Sequence, residues 1–197
     1  MKIAFILFDQ MTMLDFVGFY DAITRLKILN LMDNVSWDLC SNRPEVTDEL
    51  GITMKIEHVS NDLSTYGMVF IPGGRGTRKL KDDTEFVSWL QTAKDVKYKV
   101  SVCTGALLLG AAGFLDGKRA TTNPPAYDLL EPYCGKVVRA RIVRDGNTVT
   151  GGGVATSVDL GLYLLEWFTD AETVRKIQAA MDYPYYQTGK LDADFIV

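Results

Sequence analysis

KVSVCTGALLLGAAG, residues 99–113, carries the change of structure on which the rest of the chain depends. Val100, Ser101 and Val102 are a short β-favouring run, and Gly105 permits a tight turn. The apolar, small-residue stretch 106–112 then reads as a buried helix. Cys103 therefore falls where a strand stops and a helix starts. A thiol there faces the free amides and positive dipole end of the helix, which favour thiolate. The competing reading is a buried structural cysteine, a common place for a free thiol.

Working outward, residues 3–8 and 68–71 are continuous apolar runs suited to strands buried on both faces. Residues 35–40 and 52–56 read as further strands, and 119–122 as a short one. Phe16, Phe19, Tyr20, Ile23 and Leu26 recur at helical spacing after Asp15. Further helices are expected at about 84–93, 154–168 and 171–181, with a helical turn at 125–130. Asp145-Gly146-Asn147 between 137–143 and 148–150 is hairpin chemistry. Strands alternating with helices predict an α/β fold, a mostly parallel central sheet with helices on both faces, in one domain over 1–197.

Composition narrows the chemistry. The chain has 197 residues, 47% hydrophobic and 23% charged, with a net charge of −4 and no basic cluster, so nucleic acid is not an expected partner. Its three cysteines have no framework spacing. No apolar run reaches membrane-spanning length and the start lacks a signal-peptide pattern, so the expectation is a cytoplasmic protein with no membrane partner. His58 is the only histidine and lies in a polar segment. A Cys–His dyad, Ser–His–Asp triad or multi-histidine metal site is therefore hard to assemble, and neither metal nor cofactor is expected.

Strand C-terminal ends carry the ligand-binding loops of an open parallel sheet. Asp15 follows the first strand, Pro72-Gly73-Gly74 ends another, and Cys103 ends a third. Gly73 and Gly74 allow backbone amides to approach a substrate closely, as an oxyanion site requires. Asp15 is either a helix N-cap or the proton partner of Cys103. Gly151-Gly152-Gly153 reads as close packing beside the site, and Val154 after it as a substrate contact, together with Gly73 and Gly74.

The segments LDFVG (14–18), IPGG (71–74), SVCTGALLLGAAGFLDGKRATT (101–122) and VRDGNTVTGGGVATSVD (143–159) resemble the ThiJ/PfpI superfamily over about residues 2–180. That resemblance implies a flavodoxin-like three-layer sandwich, related to class I glutamine amidotransferases, and a homodimer. The Asp15, Cys103, Thr104 pattern is most similar to the isocyanide hydratase branch, which adds water to R–N≡C to give an N-formamide on a small-molecule substrate. The resemblance thus implies Cys103 as nucleophile, Asp15 as proton donor and Thr104 as an orienting group. Other members suggest a glyoxalase or deglycase acting on α-oxoaldehydes, or a cysteine redox sensor. One departure stands out: Asn123-Pro124-Pro125 replaces the His-Trp pair often found after the ATT segment.

Overall fold

The computed structural model describes residues 1–192 and 194–195; positions 193, 196 and 197 of the expected 1–197 domain lie outside the described residues. In chain order the elements begin β1 (Lys2–Ile6), α1 (Met13–Ile28), β2 (Ser36–Ser41), β3 (Glu45–Thr47), β4 (Thr53–Lys55) and β5 (His58–Val59). They continue with β6 (Met68–Ile71), α2 (Thr77–Leu80), α3 (Thr84–Gln91), β7 (Tyr98–Val102), α4 (Gly105–Ala111) and β8 (Arg119–Ala120). The rest are α5 (Tyr127–Leu130), β9 (Lys136–Val137), β10 (Ile142–Asp145), β11 (Thr148–Gly151), α6 (Thr156–Phe168), α7 (Ala171–Met181) and β12 (Asp194–Phe195).

The main sheet runs β12-β10-β11-β7-β6-β1-β2-β5. From β11 to β5 every pairing is parallel; β10 and β12 are antiparallel. Connections leave β1 and β6 toward opposite edges, so these neighbours bracket a switch point, the place where loops part to form a crevice. The apolar runs of β1 and β6 are fully buried after the first residue of β1, as expected of strands covered on both faces. Phe5 of β1 sits in an aromatic cluster with Phe16, Phe19 and Phe70, and the Phe19 and Phe70 rings stack at 3.9 Å.

Two expected strands lie elsewhere. The 52–56 run forms β4, paired only with β3 in a separate ribbon, and the 119–122 run forms β8, paired with β9. Val137 belongs to β9, so the hairpin around Gly146 begins only at Ile142. These strands span two or three residues, too few for alternation to reveal their partners.

On one face α1 packs on α6, which in turn packs on α7. The contact relies on missing side chains: a Cβ on Gly161 would lie 2.6 Å from Ala22 Cβ. Gly161→Val is expected to lower the unfolding free energy by about 1–3 kcal/mol through overpacking, measurable as a reduced urea midpoint.

Candidate active site

The strand–helix junction after β7 is bent at the cysteine itself. Cys103 has φ +54, whereas Gly105, expected to relieve the turn, does not have positive φ. Gly105 is required for another reason: a Cβ there would come within 2.7 Å of the Pro72 carbonyl oxygen. A left-handed conformation costs a non-glycine residue about 1–2 kcal/mol, so surrounding bonds must hold it. The Cys103 amide donates to the Gly152 carbonyl at 2.7 Å and the Gly151 carbonyl at 3.0 Å, while the Cys103 carbonyl accepts from Thr122 Oγ1 at 2.7 Å.

Asp15 is wholly buried. It is not the cap of α1; Thr12 occupies that position, and Asp15 is the third helical residue. Its Oδ2 accepts from the Gly73 amide at 2.9 Å, and its Oδ1 is buried without a hydrogen-bond partner. Gly73 is where the groups converge. A Cβ on it would lie 2.5 Å from Thr104 N, 2.7 Å from Cys103 Cβ and 2.8 Å from Asp15 Oδ2. The absence of a side chain at position 73 thus lets carboxyl and thiol share one space.

Gly74, at φ +135, is fixed on both sides. It forms an isolated antiparallel bridge with Met11, and Thr12 N donates to Gly73 O at 2.9 Å. Its amide donates to Thr104 Oγ1 at 3.0 Å, and Thr77 Oγ1 stands 3.0 Å from the same hydroxyl. The Gly73 and Gly74 amides, expected to face an oxyanion, are therefore already engaged, one on Asp15 and one on Thr104. Thr104 is buried with its hydroxyl tied to the Gly74 loop, so it braces the site rather than facing a substrate. Val154 is half-buried in the turn ahead of α6, its carbonyl accepting from the Ser157 amide. His58 stays apart, at the sheet edge, 3.3 Å from Asp38.

Burial dominates the electrostatics. It pushes the Asp15 carboxyl up to about 7; the Gly73 amide and the Cys103 thiol oppose the rise, and the Glu49 charge adds to it. Burial and then the Asp15 charge push the Cys103 thiol up to about 12, against the Thr104 amide and the Asn123 carboxamide. The helix end was expected to favour thiolate; desolvation and the neighbouring carboxylate outweigh it. The pair titrates as a unit, holding one shared proton above about pH 7. Cys40 and Cys134 also have raised values, mainly from burial.

Glu49 and Thr122 were not singled out from the sequence, whereas Asn123 was marked as a departure after the ATT segment without a contact assigned to it. Glu49 accepts from the Arg75 amide at 2.7 Å and from Thr12 Oγ1 at 3.2 Å, joining three distant loops. Thr122 braces the Cys103 carbonyl, and Asn123 faces its thiol. Among the described residues no three His, Cys, Asp or Glu side chains form a metal-binding group.

A cysteine on a left-handed bend beside a buried carboxyl, at the switch point of a mostly parallel sheet, is also what relatives allow to be compared. Residues 1–167 match the DJ-1/PfpI family. The chain belongs to the DJ-1/PfpI family. It is 34% identical to a protein named isonitrile hydratase from Pseudomonas putida over 196 residues, covering 98% of this chain and 84% of that one. It is 30% identical to the Parkinson disease protein 7 homolog of Danio rerio over 121 residues, 59% of this chain and 63% of that one. A crystal structure of a THiJ/PfpI family protein from Pseudomonas syringae superposes with TM-score 0.84 at 27% identity, covering 96% of this chain and 77% of that one. The flavodoxin-like fold of this DJ-1/PfpI member is thereby established.

Removing the Asp15 charge is expected to lower the Cys103 pKa, since that charge is the second cause of its rise. Asp15→Asn should therefore speed iodoacetamide labelling of Cys103 at pH 7.5 by about tenfold, because labelling follows the thiolate fraction. Peptide mapping against time checks this; slower labelling in the variant would separate Asp15 from the thiol.

Proposed function

We propose that this DJ-1/PfpI protein is a cysteine-dependent isocyanide hydratase. The observation that carries the reading is the wholly buried Asp15 carboxyl, its Oδ1 unpartnered, coupled to the Cys103 thiol. Such a pair can deliver a proton to a carbon that sulfur attacks. The 34% identity to isonitrile hydratase across nearly the whole chain supports it.

The pair enters the reaction with one proton. As Cys103 sulfur bonds to the terminal carbon of R–N≡C, the proton passes through Asp15 to that carbon, giving the thioimidate R–N=CH–S–Cys103. Water then adds across C=N, its hydroxyl to carbon and its proton to nitrogen. The C–S bond breaks as the hydroxyl proton returns to the pair through Asp15, releasing R–NH–CHO. Splitting the hydration into two additions is the contribution of the covalent intermediate. Gly73 holds the acid, Thr104 offers its amide to sulfur, and Val154 supplies an apolar contact for the substrate. No metal or organic cofactor takes part. The same proposal includes a homodimer, for which the exposed Leu14 and Val17 on α1 are suitable apolar surface, and a cytoplasmic location. No helix among the described residues is long and apolar enough to cross a membrane.

Formamide production from cyclohexyl isocyanide tests the reading. Cys103→Ala should fold and lose turnover, and Asp15→Asn should lose about 10²–10⁴ in kcat/KM, the range of a general acid–base group. Melting curves accompany both. Burial raises the folded Asp15 pKa above its unfolded value of 3.8, so its contribution to stability is full below about pH 4 and lost as pH rises through about 7. Asp15→Asn should accordingly melt no lower than the parent protein above pH 7. Lactate from methylglyoxal, with no formamide from isocyanide, would overturn the hydratase in favour of an α-oxoaldehyde enzyme.

The parent kcat/KM should rise as pH passes through about 7 and then level off, because only the pair that has lost its first proton lets Asp15 take the thiol proton. A profile flat between pH 6 and 8 would remove Asp15 from proton transfer.

A further inference from the structure

Beside the nucleophile lies a cleft of about 250 Å³ whose walls include Pro124, Tyr127, Arg139, Arg141, Gly152 and Gly153. Its inner end is built from the groups that hold Cys103. Gly152 carries the carbonyl that accepts the Cys103 amide. Asn123, immediately before Pro124, faces the Cys103 thiol; its Oδ1 lies toward Gly153, 3.8 Å from where a Cβ would stand. Asn123 occupies the cap position of the following helical turn, yet its side chain makes no capping bond. It is turned to the thiol instead, so Asn123 lies between Cys103 and the Gly153 wall of the cleft.

The two arginines in the wall are not equivalent. Arg141 is neutralised: its Nε and Nη2 lie 2.6 and 2.5 Å from Asp159 Oδ2, and the other Asp159 oxygen accepts from Tyr183 Oη at 3.0 Å. Arg139 is exposed, with its guanidinium carbon 5.6 Å from the centre of the Tyr127 ring. Among the described residues it forms no ion pair. In a chain of net charge −4, this is a lone positive group held over an aromatic face at the rim of the cleft. An unpaired guanidinium has its planar fork free for a carboxylate, which it binds through two parallel N–H donors.

We infer that this cleft is the substrate's side-chain site and that the substrate of Cys103 carries a carboxylate, bound by Arg139. The isocyanide part of that substrate rests on the hydratase reading; the carboxylate rests on the cleft. One guanidinium matches one negative charge, and the small volume suits a short chain between the reacting carbon and the anion.

Isocyanoacetate and its methyl ester differ in charge with little change in size, so their ratio of kcat/KM isolates the carboxylate. Arg139→Ala should lower the acid-to-ester ratio about tenfold, a difference of about 1.4 kcal/mol. Arg139→Lys should keep part of the preference, and added salt should weaken it. Both substrates are assayed on one preparation, so a partly unfolded variant cannot imitate the change. A ratio equal in parent and variant overturns the inference. Iodoacetate against iodoacetamide labelling of Cys103 reads the same charge without hydration. If Arg139→Ala lowers that labelling ratio while no isocyanide is hydrated, the carboxylate site stands and the hydratase reading falls. An unchanged labelling ratio overturns the carboxylate site.

Discussion

Asp15 keeps one oxygen on the Gly73 amide and leaves the other without a hydrogen bond, inside a space that no side chain at position 73 enters. Much of the surrounding architecture follows from holding that carboxyl there. A single backbone amide is a weak anchor for a charge with no access to water, so the group retains its proton to near neutrality. The Asp15 charge in turn opposes ionisation of the adjacent thiol.

Holding this arrangement takes hydrogen bonds from several separate stretches of the chain. The Gly73–Gly74 loop is clamped by Thr12 and Met11 on one side and by Thr104 and Thr77 on the other. The left-handed backbone of Cys103 is held through its amide by Gly151 and Gly152 and through its carbonyl by Thr122. Each bond is modest alone, about 1 kcal/mol net, but together they offset a strained turn and a desolvated acid. Function here draws on stability contributed by the strands on either side.

The sequence made the scaffold legible because the β1 and β6 runs are continuously apolar, and because Pro72-Gly73-Gly74 and Cys103 mark where β6 and β7 end. Asp15, Gly73 and Cys103 could be placed at strand ends, and those ends do converge. What sequence alone did not convey depended on contacts between distant positions. That Asp15 turns to the Gly73 amide instead of serving as a helix cap is decided by a contact 58 positions along the chain. That Cys103 carries the left-handed bend is decided by the β11 end and Thr122, since nothing local favours it over Gly105. The sign of the thiol's shift was likewise out of reach, because helix-end effects are visible along a sequence whereas desolvation is a property of the folded interior. Glu49 entered the site from a polar excursion with no pattern to mark it.

At one margin of the sheet the outer strand is short: β5 spans His58–Val59. Two residues present too few open amides and carbonyls to template another strand, which is how natural sheets avoid edge-to-edge growth. A second copy of the chain meeting that margin would find too little edge to extend, so any contact there would use helices or loops. Association of that kind leaves the strand register of each subunit untouched, so the spacing of thiol, carboxyl and glycine is set within each chain before any partner arrives.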